Sequence, residues 1–157
     1  MTLRSATPDD IPTILRFIGL LAEYERLADE AVATEDGMRE ELFGDRPAAE
    51  VVIAEVDGEP AGFALFFHNF STFLGRRGLY LEDLFVLPEH RGKGIGRALL
   101  SHLAGIALDR GCGRFEWSVL DWNEPAIAVY RRIGAVPLED WTVQRVTGEA
   151  LVQLAGR

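Results

Sequence analysis

Residues 91–97 have the composition of a phosphate-binding turn between a predicted strand and a predicted helix. They read Arg91, Gly92, Lys93, Gly94, Ile95, Gly96 and Arg97. Glycines allow backbone N–H groups to approach a ligand closely, and a helix N-terminus adds unpaired donors and partial positive charge. The basic side chains add full charges within a chain of net charge −9. Because the spacing fits neither a P-loop nor a dinucleotide fingerprint, we predict a pyrophosphate-binding turn of another kind.

Two adjacent acids interrupt an apolar strand just before this turn. Glu82 and Asp83 stand within the run of residues 80–87, and successive strand residues point to opposite faces. At least one carboxylate is therefore expected in a buried or cleft setting, where desolvation raises its pKa. A perturbed carboxylate beside a phosphate-binding turn is a candidate general base. The alternative is that one acid is exposed and the other pairs with an arginine.

Asn123 and Tyr130 are seven residues apart in a segment with helical character. That spacing places both side chains on one face of a helix, two turns apart. Asn123 is also suited to cap the N-terminus of this helix. On its own, a tyrosine at such a position is more often a packing residue.

Hydrophobic periodicity and turn residues predict the elements that would position these groups. The predicted strands cover residues 3–6, 51–56, 61–67, 79–87, 114–120 and 141–146. The predicted helices begin near Thr7, Thr34, Gly94 and Asn123 and end near residues 27, 43, 110 and 134, and a short helical stretch follows the last strand. The order β-α-α-β-β-β-α-β-α-β is an α/β layer fold with a mixed sheet. A length of 157 residues without a linker favours a single domain over residues 1–157.

Composition and charge argue against several classes of protein. The 16 basic and 25 acidic residues argue against nucleic-acid binding and are compatible with a cationic small substrate. No apolar stretch approaches the roughly 20 residues that span a bilayer, and residues 1–10 lack the apolar core of a signal peptide. Cys112 is the only cysteine, so no internal disulfide can form, and the histidines lack metal-ligand spacing. We therefore expect a cytoplasmic protein with no membrane association and no metal.

Three strings in the chain resemble one protein family. They are the Leu-Glu-Asp string within residues 80–86, the Arg-Gly-x-Gly-x-Gly string at 91–96, and Trp-Asn-Glu-Pro at 122–125 followed by Tyr130. They are similar to the motifs of the GNAT superfamily of N-acetyltransferases. The string Ala-Glu-Tyr-Glu at 22–25 is similar to the first helix of its spermidine/spermine and thialysine acetyltransferase branch. The resemblance covers nearly the whole chain and implies the GNAT fold.

The resemblance implies that acetyl-CoA binds between two splayed central strands. The pyrophosphate would rest on residues 91–97, and pantetheine would pair with the backbone of Leu84, Phe85 and Val86. Asn123 would bind the cofactor arm. Tyr130 would protonate the departing thiolate, and Glu82 would accept the proton of the amine, directly or through water.

The resemblance also implies a primary amine of a small cationic substrate as the acceptor, such as a diamine, a polyamine or thialysine. The candidate substrate-binding residues are Tyr24, Glu25, Glu82, Asp83 and Glu116. Ser71, Phe73 and Ile133 depart from the pattern of the branch, so the choice among amines stays open. The alternatives are an acetyltransferase for an aminoglycoside, an amino acid or a protein amine, and a non-catalytic CoA-binding module. The branch further implies a homodimer to which residues 141–146 could contribute.

Overall fold

Five strands form one sheet, and their order in the sheet follows their order in the chain. The computed structural model describes residues 1–157. The strands are β1 (Thr2–Ser5), β2 (Glu50–Val56), β3 (Glu59–Ser71), β4 (Arg76–Val86) and β5 (Phe115–Trp117). Neighbours are antiparallel from β1 to β4, and β5 is parallel to β4. The mixed α/β sheet that the sequence predicts is therefore confirmed.

Five helices accompany the strands, and the chain divides into two compact units. The helices are α1 (Ile11–Tyr24), α2 (Glu35–Phe43), α3 (Ile95–Asp109), α4 (Glu124–Arg132) and α5 (Gly148–Leu154). The first unit, Met1–Leu120, holds the sheet and α1 to α3, and the second, Asp121–Arg157, holds α4 and α5. The single domain over residues 1–157 stays a prediction.

Helix α1 covers one face of the sheet. Phe17 is fully buried, and its ring centre lies 5.8 Å from that of Phe63 on β3 and 5.7 Å from that of Phe85 on β4. Phe66 is three residues from Phe63 and points to the opposite face, and Leu81 shares that face because it lies opposite Phe66 in the register. Helix α3 packs against β2, β3 and β4, with apolar side chains buried along its length. The sheet between α1 and α3 is the scaffold of the first unit.

A tight turn joins β2 to β3 and requires left-handed backbone at two successive residues. Asp57 has a φ of 52° and Gly58 has a φ of 80°, as expected for an Asp-Gly hairpin turn. We expect Gly58→Ala to lower the free energy of unfolding by about 1–2 kcal/mol, because a Cβ is disfavoured at positive φ. A Cβ at Gly58 meets no other atom within 4 Å, so the loss would report backbone strain alone.

Urea unfolding of Gly58→Ala beside Gly105→Ala would check this expectation. Gly105 lies inside α3, and a Cβ at this position would also meet open space. Alanine there should raise the free energy of unfolding by about 0.5–1 kcal/mol, because glycine is a poor helix residue. Equal effects of the two substitutions would contradict the assignment of strain to the turn.

Several boundaries differ from the predicted ones, including the end of β3 at Ser71 instead of residue 67. Helix α1 ends at Tyr24 instead of near residue 27, because Arg26 adopts a φ of 62° and the chain turns back there. Strand β4 begins at Arg76, so the turn predicted over residues 75–78 ends at Gly75. Strand β5 has three residues, because its pairing with β4 stops at Trp117.

The strand predicted for residues 141–146 is wrong, and with it the last β of the predicted order. The alternation of Trp141 and Val143 with polar residues is typical of a strand. No sixth strand joins the sheet, however, and the two side chains are 79% and 81% exposed. A strand also needs a partner for its backbone N–H and C=O groups, which alternation does not provide. The helical stretch predicted after it is confirmed as α5.

Candidate active site

The glycine turn before α3 presents backbone donors at the start of a helix. Gly92 and Gly94 have φ values of 74° and 82°, the left-handed region that favours glycine. The first helical hydrogen bond runs from Ala98 N–H to Gly94 C=O at 2.9 Å. The N–H groups of residues 95–97 therefore precede the hydrogen-bonded ladder, where a helix N-terminus attracts anions. A Cβ at Gly92 or Gly94 would meet nothing within 4 Å, so the turn is open to a ligand and fits a pyrophosphate.

Strands β4 and β5 pair over three residues and then separate. The last pair is Leu81 with Trp117, whereas β4 continues to Val86. At this end of the pairing, the hydroxyl groups of Tyr80 and Ser118 lie 2.8 Å apart and share a hydrogen bond. The splayed strands of the sequence prediction thus correspond to the divergence of β4 from the chain that follows β5.

The part of β4 beyond this point has one edge paired with β3 and another that faces away from it. Leu87 N–H donates to Ala61 C=O at 2.8 Å on the side of β3. Val86 C=O instead accepts a hydrogen bond of 3.0 Å from Nε of Arg91. Because backbone groups alternate along an antiparallel strand, Leu84 directs its N–H and C=O to the same open edge as Val86. This edge can pair with an extended ligand in the manner of an added strand.

A β-bulge separates the two acids of β4. Leu81 lies opposite Phe66 and Asp83 lies opposite Leu65, so Glu82 is an additional residue with no partner on β3. Bulges redirect the side chains around them. Asp83 shares the α1 face of the sheet with Leu65, its cross-strand partner, while Glu82 is exposed.

Three carboxyl groups form an acidic cluster, defined here as Glu25, Glu82 and Asp83. Burial, with the charges of Glu82 and Glu25, raises the pKa of Asp83 to about 6. Burial and the charge of Glu82 also raise the pKa of Glu25. None of the three forms a salt bridge, so the arginine pairing considered as the alternative does not occur. A cluster of like charge with two half-buried members, Glu25 and Asp83, is suited to a cation and to holding a proton.

Glu116 is placed differently from the acidic cluster. It lies beside Tyr80 in the parallel register of β5 with β4. Its carboxylate forms a salt bridge of 2.8 Å with Nε of Arg114. The charge of Glu116 is therefore already partly balanced, which makes it less suited to hold a cationic ligand than the acidic cluster.

Asn123 and Tyr130 lie on α4 in the second unit. The side chain of Asn123 accepts a hydrogen bond of 3.4 Å from Ala126 N–H, so the predicted N-terminal cap is confirmed. Tyr130 is half-buried in the last turn of the helix. Ala135 N–H closes that turn by donating to Tyr130 C=O at 3.0 Å. Both residues therefore have fixed positions on one short helix.

Two features of the site are not evident in the sequence patterns. The bulge at Glu82 depends on the register with β3, which no local pattern in β4 specifies. The contact of Arg91 with Val86 C=O joins the glycine turn to the open strand edge. For Arg91 the only signal in the sequence was its charge, which predicted a phosphate ligand rather than a second contact.

The chain has no group of three or more His, Cys, Asp or Glu side chains arranged to hold a metal ion. None of its helices has both the length and the apolar character to cross a membrane.

Comparisons with known proteins identify the class to which this fold and site belong. A profile described as the acetyltransferase (GNAT) family matches residues 18–135. The chain is 41% identical to a thialysine N-epsilon-acetyltransferase of Sus scrofa, covering 99% of this chain and 97% of that protein. It is 34% identical to an L-ornithine N5-acetyltransferase of Arabidopsis thaliana, covering 95% and 85% of the two chains. An integron cassette protein from the mobile metagenome of V. cholerae has a similar structure, with a TM-score of 0.83 and 28% identity over 99% of this chain and 98% of that one.

The chain belongs to the GNAT acetyltransferase family. Its α/β fold with a mixed five-stranded sheet is the GNAT fold. It is an N-acetyltransferase, and family membership implies acetyl-CoA as the cosubstrate.

Proposed function

We propose that this enzyme acetylates a primary amine of a small dicationic or amino-acid-like molecule, with thialysine, ornithine and short diamines as the acceptor class. The observation that carries the proposal is the acidic cluster of Glu25, Glu82 and Asp83, which has no salt-bridge partner, at the point where β4 leaves β5. A cation is the ligand that such a cluster favours. The names of relatives with matching length support the same acceptor class.

Two groups of residues in the first unit are proposed to bind the cosubstrate, and the sequence resemblance adds Asn123. The N–H groups of Gly92, Gly94, Ile95 and Gly96, with the charges of Arg91, Lys93 and Arg97, would hold the pyrophosphate. The backbone of Leu84 and Val86 would pair with the pantetheine arm along the open edge of β4, whereas Phe85, which the sequence also predicted to take part, directs its backbone groups to β3. Asn123 would contact the same arm. Acetyl-CoA supplies the acetyl group as an activated thioester.

Glu82 is proposed as the group that takes the proton of the amine. An alkyl ammonium has a pKa of about 10.4 and must lose a proton before it can attack. Glu82 is exposed at the bulge, so it can accept that proton directly or through one water molecule. The remaining positive charge of the acceptor would be held by Asp83, Glu25 and the neighbouring Tyr24. Glu116 would contribute less to this binding because its charge is partly balanced by the salt bridge to Arg114.

Tyr130 is proposed as the group that protonates the departing thiolate. A thiol has a pKa of about 8.5 and a phenol about 10, so the proton transfer between them is nearly balanced. Direct attack of the amine requires no covalent enzyme intermediate, and Cys112 has no part in the reaction. Tyr130 is held in the last turn of α4 by the backbone closure at Ala135.

Two expectations about the whole protein stay predictions. One is that two copies associate as a homodimer, which sedimentation or size-exclusion chromatography would test. The other is a cytoplasmic location.

An acceptor screen with acetyl-CoA and free-thiol detection would test the proposed function. We expect thiol release with thialysine, ornithine and diaminopropane. S-Propyl-L-cysteine is a matched control, because it replaces the side-chain amine of thialysine with a methyl group and should give no release. Turnover confined to an aminoglycoside or a peptide amine would overturn the acceptor class, and binding of CoA without turnover of any amine would favour the non-catalytic alternative.

A further inference from the structure

One arginine side chain contacts both the end of α1 and strand β4. The guanidinium carbon of Arg91 lies 5.1 Å from the ring centre of Tyr24 and 5.6 Å from that of Phe85. Its Nε donates to Val86 C=O at 3.0 Å. Arg91 therefore links the end of α1 and the open edge of β4 with the glycines of the phosphate-binding turn, which begin at the next residue.

The chemistry of arginine suits these contacts. The guanidinium is planar, so it can lie over aromatic faces and donate in its own plane at the same time. Because Nε donates to Val86 C=O, the two terminal nitrogens are the donors that would bind a pyrophosphate at the adjacent glycines. A lysine would keep the charge but could not reproduce the stacked arrangement.

Tyr24, the aromatic partner of Arg91 on α1, is adjacent in the chain to a residue proposed to bind the amine. Tyr24 is the last residue of α1, and Glu25 follows it as the C-terminal cap. The charge of Glu25 acts on Asp83 and the charge of Glu82 acts on Glu25. Any constraint on the Tyr24 ring is therefore a constraint on the backbone that carries one member of the acidic cluster.

We propose that Arg91 is a positioning residue that couples the binding of the cosubstrate to the binding of the amine through its contact with Tyr24. The proposal rests on the proposed function of the two sites. A pyrophosphate that fixes the guanidinium also fixes the end of α1, so the amine then binds to groups whose positions are already ordered. Because coupling between two binding sites is reciprocal, the amine must tighten the binding of CoA by the same factor.

The coupling can be measured by calorimetry with CoA, which lacks the acetyl group and cannot react. The Kd of CoA is determined without and with saturating thialysine, and the ratio of the two values is the coupling factor. We expect a ratio of about fivefold or more for the wild type. Tyr24→Leu and Arg91→Lys should each reduce the ratio to about one, whereas Tyr24→Phe keeps the aromatic face and should retain it.

Arg97→Ala is the matched control within the same turn, since no aromatic contact of Arg97 is present among the ring contacts of the structure. It should weaken CoA binding equally with and without thialysine and leave the ratio unchanged. A wild-type ratio of one, or a ratio retained in both Tyr24→Leu and Arg91→Lys, would overturn the coupling. Absence of turnover of thialysine, ornithine and diaminopropane in the wild type would instead overturn the proposed function, so the two failures are distinguishable.

Discussion

Replacing Tyr130 with phenylalanine is expected to lower kcat with acetyl-CoA and thialysine by about 10²-fold or more. The substitution removes one hydroxyl group, and the leaving thiolate would then take its proton from solvent instead of from a positioned acid. Steady-state kinetics at about pH 7.5–9, near the pKa of the leaving thiol, would measure the loss. The KM values of the two substrates should change little, because the proton is transferred only as the thiolate departs.

Val129→Ala provides the control for a general disturbance of α4. Val129 precedes Tyr130 in the same helix and is 40% exposed, so its truncation should leave kcat within about twofold of the wild type. If Tyr130→Phe behaved like Val129→Ala, Tyr130 would not be the general acid.

The two acids of β4 are expected to respond differently to pH. The pKa of Asp83 is raised to about 6, so below that value Asp83 gains a proton and loses the charge that attracts a cation. We therefore expect kcat/KM for the amine to fall as pH decreases through about 6. Asp83→Asn should remove this acidic limb and raise the KM of the amine at neutral pH and above.

The pH profile of kcat/KM for Glu82→Gln should differ from that of Asp83→Asn. It should lower kcat by about 10²-fold through loss of the proposed base, and the acidic limb should persist at a lower pH. The shift has this sign because the charge of Glu82 contributes to the raised pKa of Asp83. Profiles of kcat/KM across about two pH units on either side of the Asp83 pKa would show the difference between the two variants. A profile of Glu82→Gln identical to that of the wild type would remove Glu82 from the proton route.

The glycine turn at residues 91–97 could be predicted from the sequence because its backbone requirement is carried by its own residues. Gly92 and Gly94 adopt the positive φ values that glycine tolerates, and the basic residues between and beside them point to an anion. The helix that follows begins at Ile95, one residue from its predicted start. Local sequence was sufficient because local backbone geometry determines the feature.

The acids of β4 could be predicted only in part. Alternation correctly indicated different environments for Glu82 and Asp83, but the register with β3 decides which acid is half-buried. The proximity of Glu25 depends on how α1 packs across the sheet, which no pattern within α1 or β4 specifies. Long-range packing was therefore the missing information.

In the C-terminal segment, the sequence predicted a strand that the structure does not contain. Trp141 and Val143 follow a strand pattern without forming a strand. The pattern reports which side chains would share a face if the segment were extended, and it contains no information about a pairing partner. Periodicity predicted α1, α3 and the four strands β1 to β4 because each of them has a side that packs within the first unit.

The additional residue at Glu82 is one that the sheet itself does not require. Leu81 before it lies on the same face as Phe66, and Leu84 after it lies on that face opposite Ala64. Without residue 82, Leu81, Asp83 and Leu84 would alternate in an unbroken ladder, and every apolar side chain would keep its present face. The bulge is therefore not needed to place the apolar side chains of β4, and its effect falls on the proposed acceptor site. Loss of residue 82 would leave the hydrophobic packing of β4 in place, so we expect the length of this strand to alter the proposed acceptor site independently of the core.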